Sequence, residues 1–80
     1  MTIKLLKDMI AIDSVNPSLV SGAAGETEIA SFIAQELRKA GVDVEVQPVS
    51  AGRSNVIGCI DGSRKGPALM LCGHMDTVGV

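Results

Sequence analysis

Aromatic residues are almost absent from this sequence. Phe32 is the single aromatic side chain among 80 residues, and there is neither tryptophan nor tyrosine, although 46% of the residues are hydrophobic. The core must therefore be built from Ile, Leu, Val, Met and Ala. A chain of this length forms at most one small domain and buries only about 60 to 65% of the surface that its unfolded form exposes. We therefore expect its stability to be marginal.

Residues that could form covalent cross-links are also scarce. There are two cysteines, Cys59 and Cys72, and both fall within predicted strands. Two thiols on strands of a chain without a signal peptide are more typical of reduced, buried cysteines than of a disulfide. The sequence therefore predicts free thiols and no bridge that would compensate for a small core.

A clustered basic surface is missing as well, and so is a membrane-spanning segment. Seven Lys and Arg oppose nine Asp and Glu, which gives a net charge of −2, and the scattered basic residues argue against nucleic acid as a partner. The stretch from Met1 to Asp8 mixes charged and apolar residues and lacks the apolar centre of a signal peptide. No stretch approaches the roughly 18 apolar residues of a transmembrane helix. The sequence predicts a cytoplasmic protein with no membrane partner.

A short amphipathic helix is predicted from Ile3 to about Asp13. Its apolar residues recur at helical spacing, and Thr2 is available as the N-cap. The helix must end near residues 14 and 15, because Asn16 precedes Pro17 and a residue before proline is driven out of the α region.

A second helix is predicted from about Glu26 to Ala40. Acidic residues lie in its first turn and basic residues in its last, and Gly41 follows at the position that favours a left-handed residue. We expect its apolar stripe to pack on a sheet; the stripe comprises Ile29, Ile33 and Leu37, with Phe32 and Ala40 beside it.

Three strands are predicted after the helices. Val42 to Gln47 alternates strictly, which is typical of a half-buried strand, and Pro48 places that strand at an edge. Asn55 to Ile60 follows after a short link that favours antiparallel pairing. Ala68 to Cys72 is a continuous apolar run bounded by Gly66-Pro67 and Gly73, as in an interior strand covered on both faces. The order helix-helix-strand-strand-strand predicts an α/β fold.

His74 and Asp76 carry the recognisable chemistry of the chain. They follow the predicted interior strand and are two residues apart, so in an extended chain both side chains leave on the same side. Open α/β sheets bind ligands at the carboxyl ends of their strands, and Gly73 lets the backbone bend there. Imidazole is a common zinc ligand, and a nearby carboxylate can orient it. Taken alone the pair is a weak indication, because a lone histidine at a strand end is more often a hydrogen-bonded structural residue.

The sequence resembles a family at several points, in the order that the family has them. The motifs are Ser14-Val15-Asn16-Pro17-Ser18, Gly25-Glu26 at the second helix, Gly41-Val42 at its exit, Asn55-Val56-Ile57-Gly58 in the second strand, and Gly73-His74-Met75-Asp76-Thr77-Val78. The last of these resembles the first metal motif of the di-zinc metallopeptidases and deacylases, which include acetylornithine deacetylase, succinyl-diaminopimelate desuccinylase, aminoacylase and the bacterial glutamate carboxypeptidase. Gly79 stands where that motif often has proline.

The resemblance implies roles for the two residues. His74 would be a metal ligand, and Asp76 would be the supporting carboxylate that is treated as catalytic in the family. Two zinc ions would be expected in the longer enzyme, with cobalt as an alternative metal. The substrate would be a small peptide or an N-acyl amino acid, whose amide bond is hydrolysed. The general base and the other ligands lie further along the chain in the family.

Residues 1–80 are therefore interpreted as the N-terminal portion of a mixed-sheet zinc-peptidase catalytic domain, truncated after the first metal motif. Such a fragment should not catalyse, because a catalytic zinc needs about three protein ligands. The alternative is a self-standing small α/β module that binds or oligomerises, in which His74 and Asp76 are structural.

The neighbour of the third strand is predicted differently by the two lines of reasoning. Short connections favour a hairpin between Asn55 to Ile60 and Ala68 to Cys72. The resemblance implies that a later strand separates them, which would leave a gap in this chain. An open interior edge recruits other strands, so we expect the gap to be filled by another copy in a homo-oligomer.

Overall fold

Two helices are followed by two strands in the computed structural model, which describes residues 2–62 and 66–79. The elements are α1 Thr2–Ile10, α2 Thr27–Lys39, β1 Asp43–Ser50 and β2 Arg53–Cys59. The α/β class is confirmed, whereas the predicted count of three strands is wrong for the described residues. Arg64 and Lys65, in the link between the second and third predicted strands, lie outside those residues. No helix in the described ranges combines the length and the apolar character that crossing a membrane requires.

Helix α2 ends through a glycine cap, as its sequence predicts. Gly41 has a φ of 87°, which brings its N–H to the carbonyl of Arg38 at 3.0 Å and the Val42 N–H to the carbonyl of Leu37 at 3.1 Å. These two bonds form a Schellman motif and satisfy carbonyls that the helix leaves without partners. The chain therefore turns at once from α2 into β1.

Strands β1 and β2 form an antiparallel hairpin, which confirms their predicted pairing. Val46 pairs with Val56 near the middle, and the irregularity between Pro48 and Ser50 leads into a tight turn at Ala51 and Gly52. Gly52 adopts a φ of 73°, which glycine reaches without a steric penalty. Both strands begin or end within a few residues of their predicted limits.

The core lies between α2 and this hairpin. Its buried apolar residues are Ile29, Ala30 and Ala34, all on α2. A Cβ on Gly58 of β2 would lie 3.4 Å from Leu37 Cδ1, so the glycine allows close approach of helix and strand. Helix α1 contributes less, because Leu6 and Ile10 of its predicted apolar face are exposed.

The predicted third strand, Ala68 to Cys72, does not form within the described residues. The segment has no regular secondary structure, and Leu71 is 88% exposed. An apolar run indicates which side chains would be buried in a strand, but a strand exists only where a neighbour supplies ladder hydrogen bonds. No strand of the described chain pairs with this segment.

The predicted hairpin between β2 and this segment is wrong as well. No backbone hydrogen bond joins the two in the described part of the chain. A cavity of about 420 Å³ lies instead among α2, the hairpin and residues 70–73. Cys59 and Cys72 are both free, as predicted, but both are exposed rather than buried. Cys72 is exposed because its expected strand is absent, whereas Cys59 is exposed at the end of β2.

Candidate metal and catalytic site

A single parallel bridge joins the loop after α1 to the segment that carries the site. Val15 pairs with Thr77, the Thr77 N–H donates to the Ser14 carbonyl at 2.9 Å, and the Asn16 N–H donates to the Thr77 carbonyl at 2.9 Å. Ser14 is buried. Two backbone hydrogen bonds therefore hold Asp76 next to Asn16, although sixty residues separate them in sequence.

The Asn16 side chain is held at both ends. Its Oδ1 accepts the Ser18 N–H at 2.7 Å, and its Nδ2 donates to Asp76 Oδ2 at 2.6 Å. The first bond closes a local side-chain turn of the kind that asparagine favours. The second hydrogen bond joins the side-chain amide of Asn16 to the carboxylate of Asp76.

The other oxygen of Asp76 faces His74. His74 Nδ1 lies 3.0 Å from Asp76 Oδ1 and 3.1 Å from the Asp76 carbonyl oxygen. Both atoms are acceptors when the carboxylate is ionised, so Nδ1 carries the proton of the neutral ring. Nε2 has no hydrogen-bond partner among the described residues, and the His74 side chain is 85% exposed against 24% for Asp76. The imidazole presents a free Nε2 lone pair to solvent.

Hydrogen bonds keep Asp76 ionised. The bond from Asn16 is the largest cause that lowers the pKa of Asp76, and the bond from His74 lowers it further, while partial desolvation acts in the opposite direction. A carboxylate that accepts donors is favoured in its charged form. The arrangement is thus a carboxylate that bridges an amide donor and an imidazole N–H.

A partly buried ion pair contacts the loop that contains Asn16 and Ser18. Glu26 is buried, and Arg53 donates to both of its oxygens, with Nη2 2.6 Å from Oε1 and Nε 3.0 Å from Oε2. Arg53 Nη1 also lies 3.2 Å from Ser18 Oγ. Glu26 precedes the first residue of α2 and Arg53 is the first residue of β2. The pair therefore links the starts of α2 and β2 to the loop that contains Asn16 and Ser18.

The structure brings His74 and Asp76 together on a loop, not at the end of a strand. No group of three or more His, Cys, Asp or Glu residues that could hold a metal ion occurs in the described ranges. Sequence reasoning missed the contact of Asn16, because hydrophobic periodicity carries no information on a polar contact across sixty residues. The Asn-Pro pair predicted only the end of α1.

Comparison with curated proteins gives one likeness that covers almost all of this chain. The chain is 32% identical over 79 residues to acetylornithine deacetylase from Photorhabdus laumondii subsp. laumondii, and the match covers 95% of this chain and 20% of that protein. The chain thus spans about a fifth of the length of the relative. No protein-family model matches the chain. No solved structure matches it. The likeness supports the resemblance seen in the motifs, at the level of the family at most.

Proposed function

We propose that this chain is the front part of a zinc-dependent amidohydrolase that cleaves the amide bond of N-acyl amino acids or small peptides. One observation carries the proposal: His74 offers a free Nε2 while Asp76 holds its Nδ1 at 3.0 Å. The same chain is 32% identical to a deacetylase that is named for an acetylated amino acid.

The residues present suit one part of a zinc site. Metal-binding histidines typically donate their second ring N–H to a carboxylate, which fixes the tautomer and makes the ring a better ligand. His74 and Asp76 have this arrangement. A catalytic zinc takes about three protein ligands, and the described residues contain no cluster of three, so the remaining ligands would come from a longer protein.

Each residue then has a defined task. His74 would bind zinc through Nε2, and Asp76 would hold the ring and stabilise the positive charge that the ring acquires on binding. Zinc at such a site polarises a scissile carbonyl and activates water. Asn16 would keep the carboxylate in position by donating to it, and the backbone bonds of the adjacent Thr77 to Ser14 and Asn16 would hold that part of the chain in place.

The test compares two carboxylates in the longer protein that contains this sequence. Asp76→Ala should lower kcat by about 10- to 100-fold, as expected for loss of the partner of a ligand, while the unfolding transition changes little. Asp43→Ala removes an exposed carboxylate at the start of β1 and should leave kcat unchanged. Equal kcat values for the two variants would contradict the proposal.

Zinc titration of the 80-residue chain is the second arm. We expect weak binding, weaker than micromolar, and no hydrolysis of N-acyl amino acids, because one imidazole and one carboxylate do not complete a site. A sub-micromolar site that His74→Ala abolishes would show instead that this chain holds zinc by itself.

A second candidate is a non-catalytic module that associates with itself. It is favoured by a run of exposed apolar side chains at Leu69, Met70 and Leu71, since contiguous apolar surface marks interaction sites. Light scattering tests it: a dimer that Leu71→Asp converts to a monomer supports association, and a monomer at high concentration argues against it.

A further inference from the structure

We propose that Asn16 is a positioning residue that sets the tautomer of His74 through Asp76. The inference rests on the proposed function only for the role of the free Nε2, which is to bind zinc. The relay itself is made of three side chains and two hydrogen bonds that are present without any metal.

The two oxygens of Asp76 have separate partners. Oδ2 accepts the Asn16 amide at 2.6 Å, and Oδ1 accepts the His74 ring at 3.0 Å. A carboxylate on a solvent-facing loop can rotate about its terminal torsion, which has a broad energy minimum. The short bond to Oδ2 removes that freedom, so Oδ1 remains directed at Nδ1.

The amide of Asn16 can face Asp76 only with its donor. Its oxygen is occupied by the Ser18 N–H at 2.7 Å, and its backbone is fixed by the bond to the Thr77 carbonyl. Reversal of the amide would place two oxygens together at Asp76 and two N–H groups together at Ser18. The loop therefore defines the donor position as well as the distance.

The tautomer of His74 follows from this contact. With Oδ1 held in place, the neutral ring keeps its proton on Nδ1 and leaves the Nε2 lone pair free. If Asp76 is free to turn, the exposed ring retains the weaker Asp76 carbonyl contact at 3.1 Å, and the tautomer with the proton on Nε2 gains population. Only the first tautomer can bind a ligand at Nε2 without first moving a proton.

The variant Asn16→Asp removes the amide N–H donor to Asp76 and retains the oxygen that accepts the Ser18 N–H. The new side chain keeps an oxygen for the Ser18 N–H, but it faces Asp76 with a second carboxylate and repels it. Asn55→Asp is the matched control, because it adds the same charge at an exposed position of β2.

The readout is the ring of His74, which is the single histidine of the chain. With ¹⁵N-labelled histidine, the nitrogen shifts and two-bond couplings give the tautomer ratio of the neutral ring directly, measured at about pH 8.5. In the parent chain we expect the Nδ1–H form to predominate. Asn16→Asp should lower the ratio of Nδ1–H to Nε2–H about fivefold, the effect of losing one hydrogen bond, and Asn55→Asp should leave it unchanged.

A second variant, in which the amide and the carboxylate exchange positions, distinguishes loss of the Asn16 contact from loss of folding. In the double variant Asn16→Asp with Asp76→Asn, the amide at position 76 can donate to the carboxylate at position 16 and still offer its oxygen to His74. We expect the ratio to return to within about twofold of the parent value. An unchanged ratio in folded Asn16→Asp, or no recovery in the double variant, would overturn the inference.

The two proposals fail separately. If Asp76→Ala leaves kcat unchanged in the longer protein but Asn16→Asp moves the tautomer ratio, the proposed function fails and the relay stands. If Asp76→Ala lowers kcat but the ratio does not respond to Asn16, the relay fails and the function stands.

Discussion

Replacement of Ile29 by alanine should be among the most damaging truncations in this chain. Ile29 is 6% exposed and belongs to a core with three buried apolar residues in the described ranges. The loss of three carbons costs about 0.8 kcal/mol each, or about 2.4 kcal/mol in all. The usual added cost of a new cavity should be small, because Ile29 already borders a cavity of about 560 Å³. We expect a loss of about 2.5 to 3 kcal/mol.

Such a loss is large for this protein. A chain of 80 residues has a free energy of unfolding of about 4 to 12 kcal/mol, and the small core indicates the lower end. The assay is urea unfolding followed by far-ultraviolet circular dichroism, since the sequence has no tryptophan or tyrosine for fluorescence. Ile29→Ala should lower the midpoint without changing the slope.

Leu71→Ala is the matched comparison. In an interior strand this change would cost about 2 to 5 kcal/mol. Leu71 is 88% exposed in the structure, so we expect a change within about 0.5 kcal/mol. A larger loss for Leu71→Ala than for Ile29→Ala would refute this description of the core.

Three further outcomes are expected. Gly25→Ala should destabilise the chain more than Gly22→Ala: both glycines have a φ of 77°, which costs other residues about 1 to 2 kcal/mol, but only at Gly25 would the Cβ overlap the Gly52 carbonyl oxygen. Asn16→Ala should make the free energy of unfolding depend less on pH in the acid range. The pKa of Asp76 is lowered in the folded protein, so its contribution to stability is present above about pH 3.9 and is lost as pH falls through the folded value. Both exposed cysteines should react with a thiol reagent without denaturant.

Local elements were predictable because their causes are local. The glycine cap at Gly41 and the alternation from Val42 to Gln47 each depend on residues within one turn or one strand, whereas α1 ends at Ile10, before the limit near residues 14 and 15 that Pro17 predicted. Their limits in the structure differ by only a few residues from those expected. The prediction of an interior strand at Ala68 to Cys72 failed because that strand depends on a neighbour, which no local pattern supplies.

In the candidate site, too, the contact between residues close in sequence was predicted and the long-range contacts were not. His74 and Asp76 are close in sequence, and their proximity followed from spacing alone; their roles as ligand and catalytic carboxylate remain predictions. Asn16 was part of a motif but had no predicted contact, since its partner lies sixty residues away. The Glu26–Arg53 pair was missed for the same reason: it joins the start of a helix to the start of a strand.

The bridge between Val15 and Thr77 has a consequence for the order in which the molecule folds. The hairpin closes over two residues, whereas the bridge closes a loop of about sixty, which costs about 3 kcal/mol more in chain entropy. Contacts of such long range form late and open first. The amide of Thr77 should therefore exchange with solvent faster than those in the middle of β1 and β2. We therefore expect His74 and Asp76 to reach Asn16 late in folding, after the hairpin has formed, so that a partly folded chain lacks the assembled site.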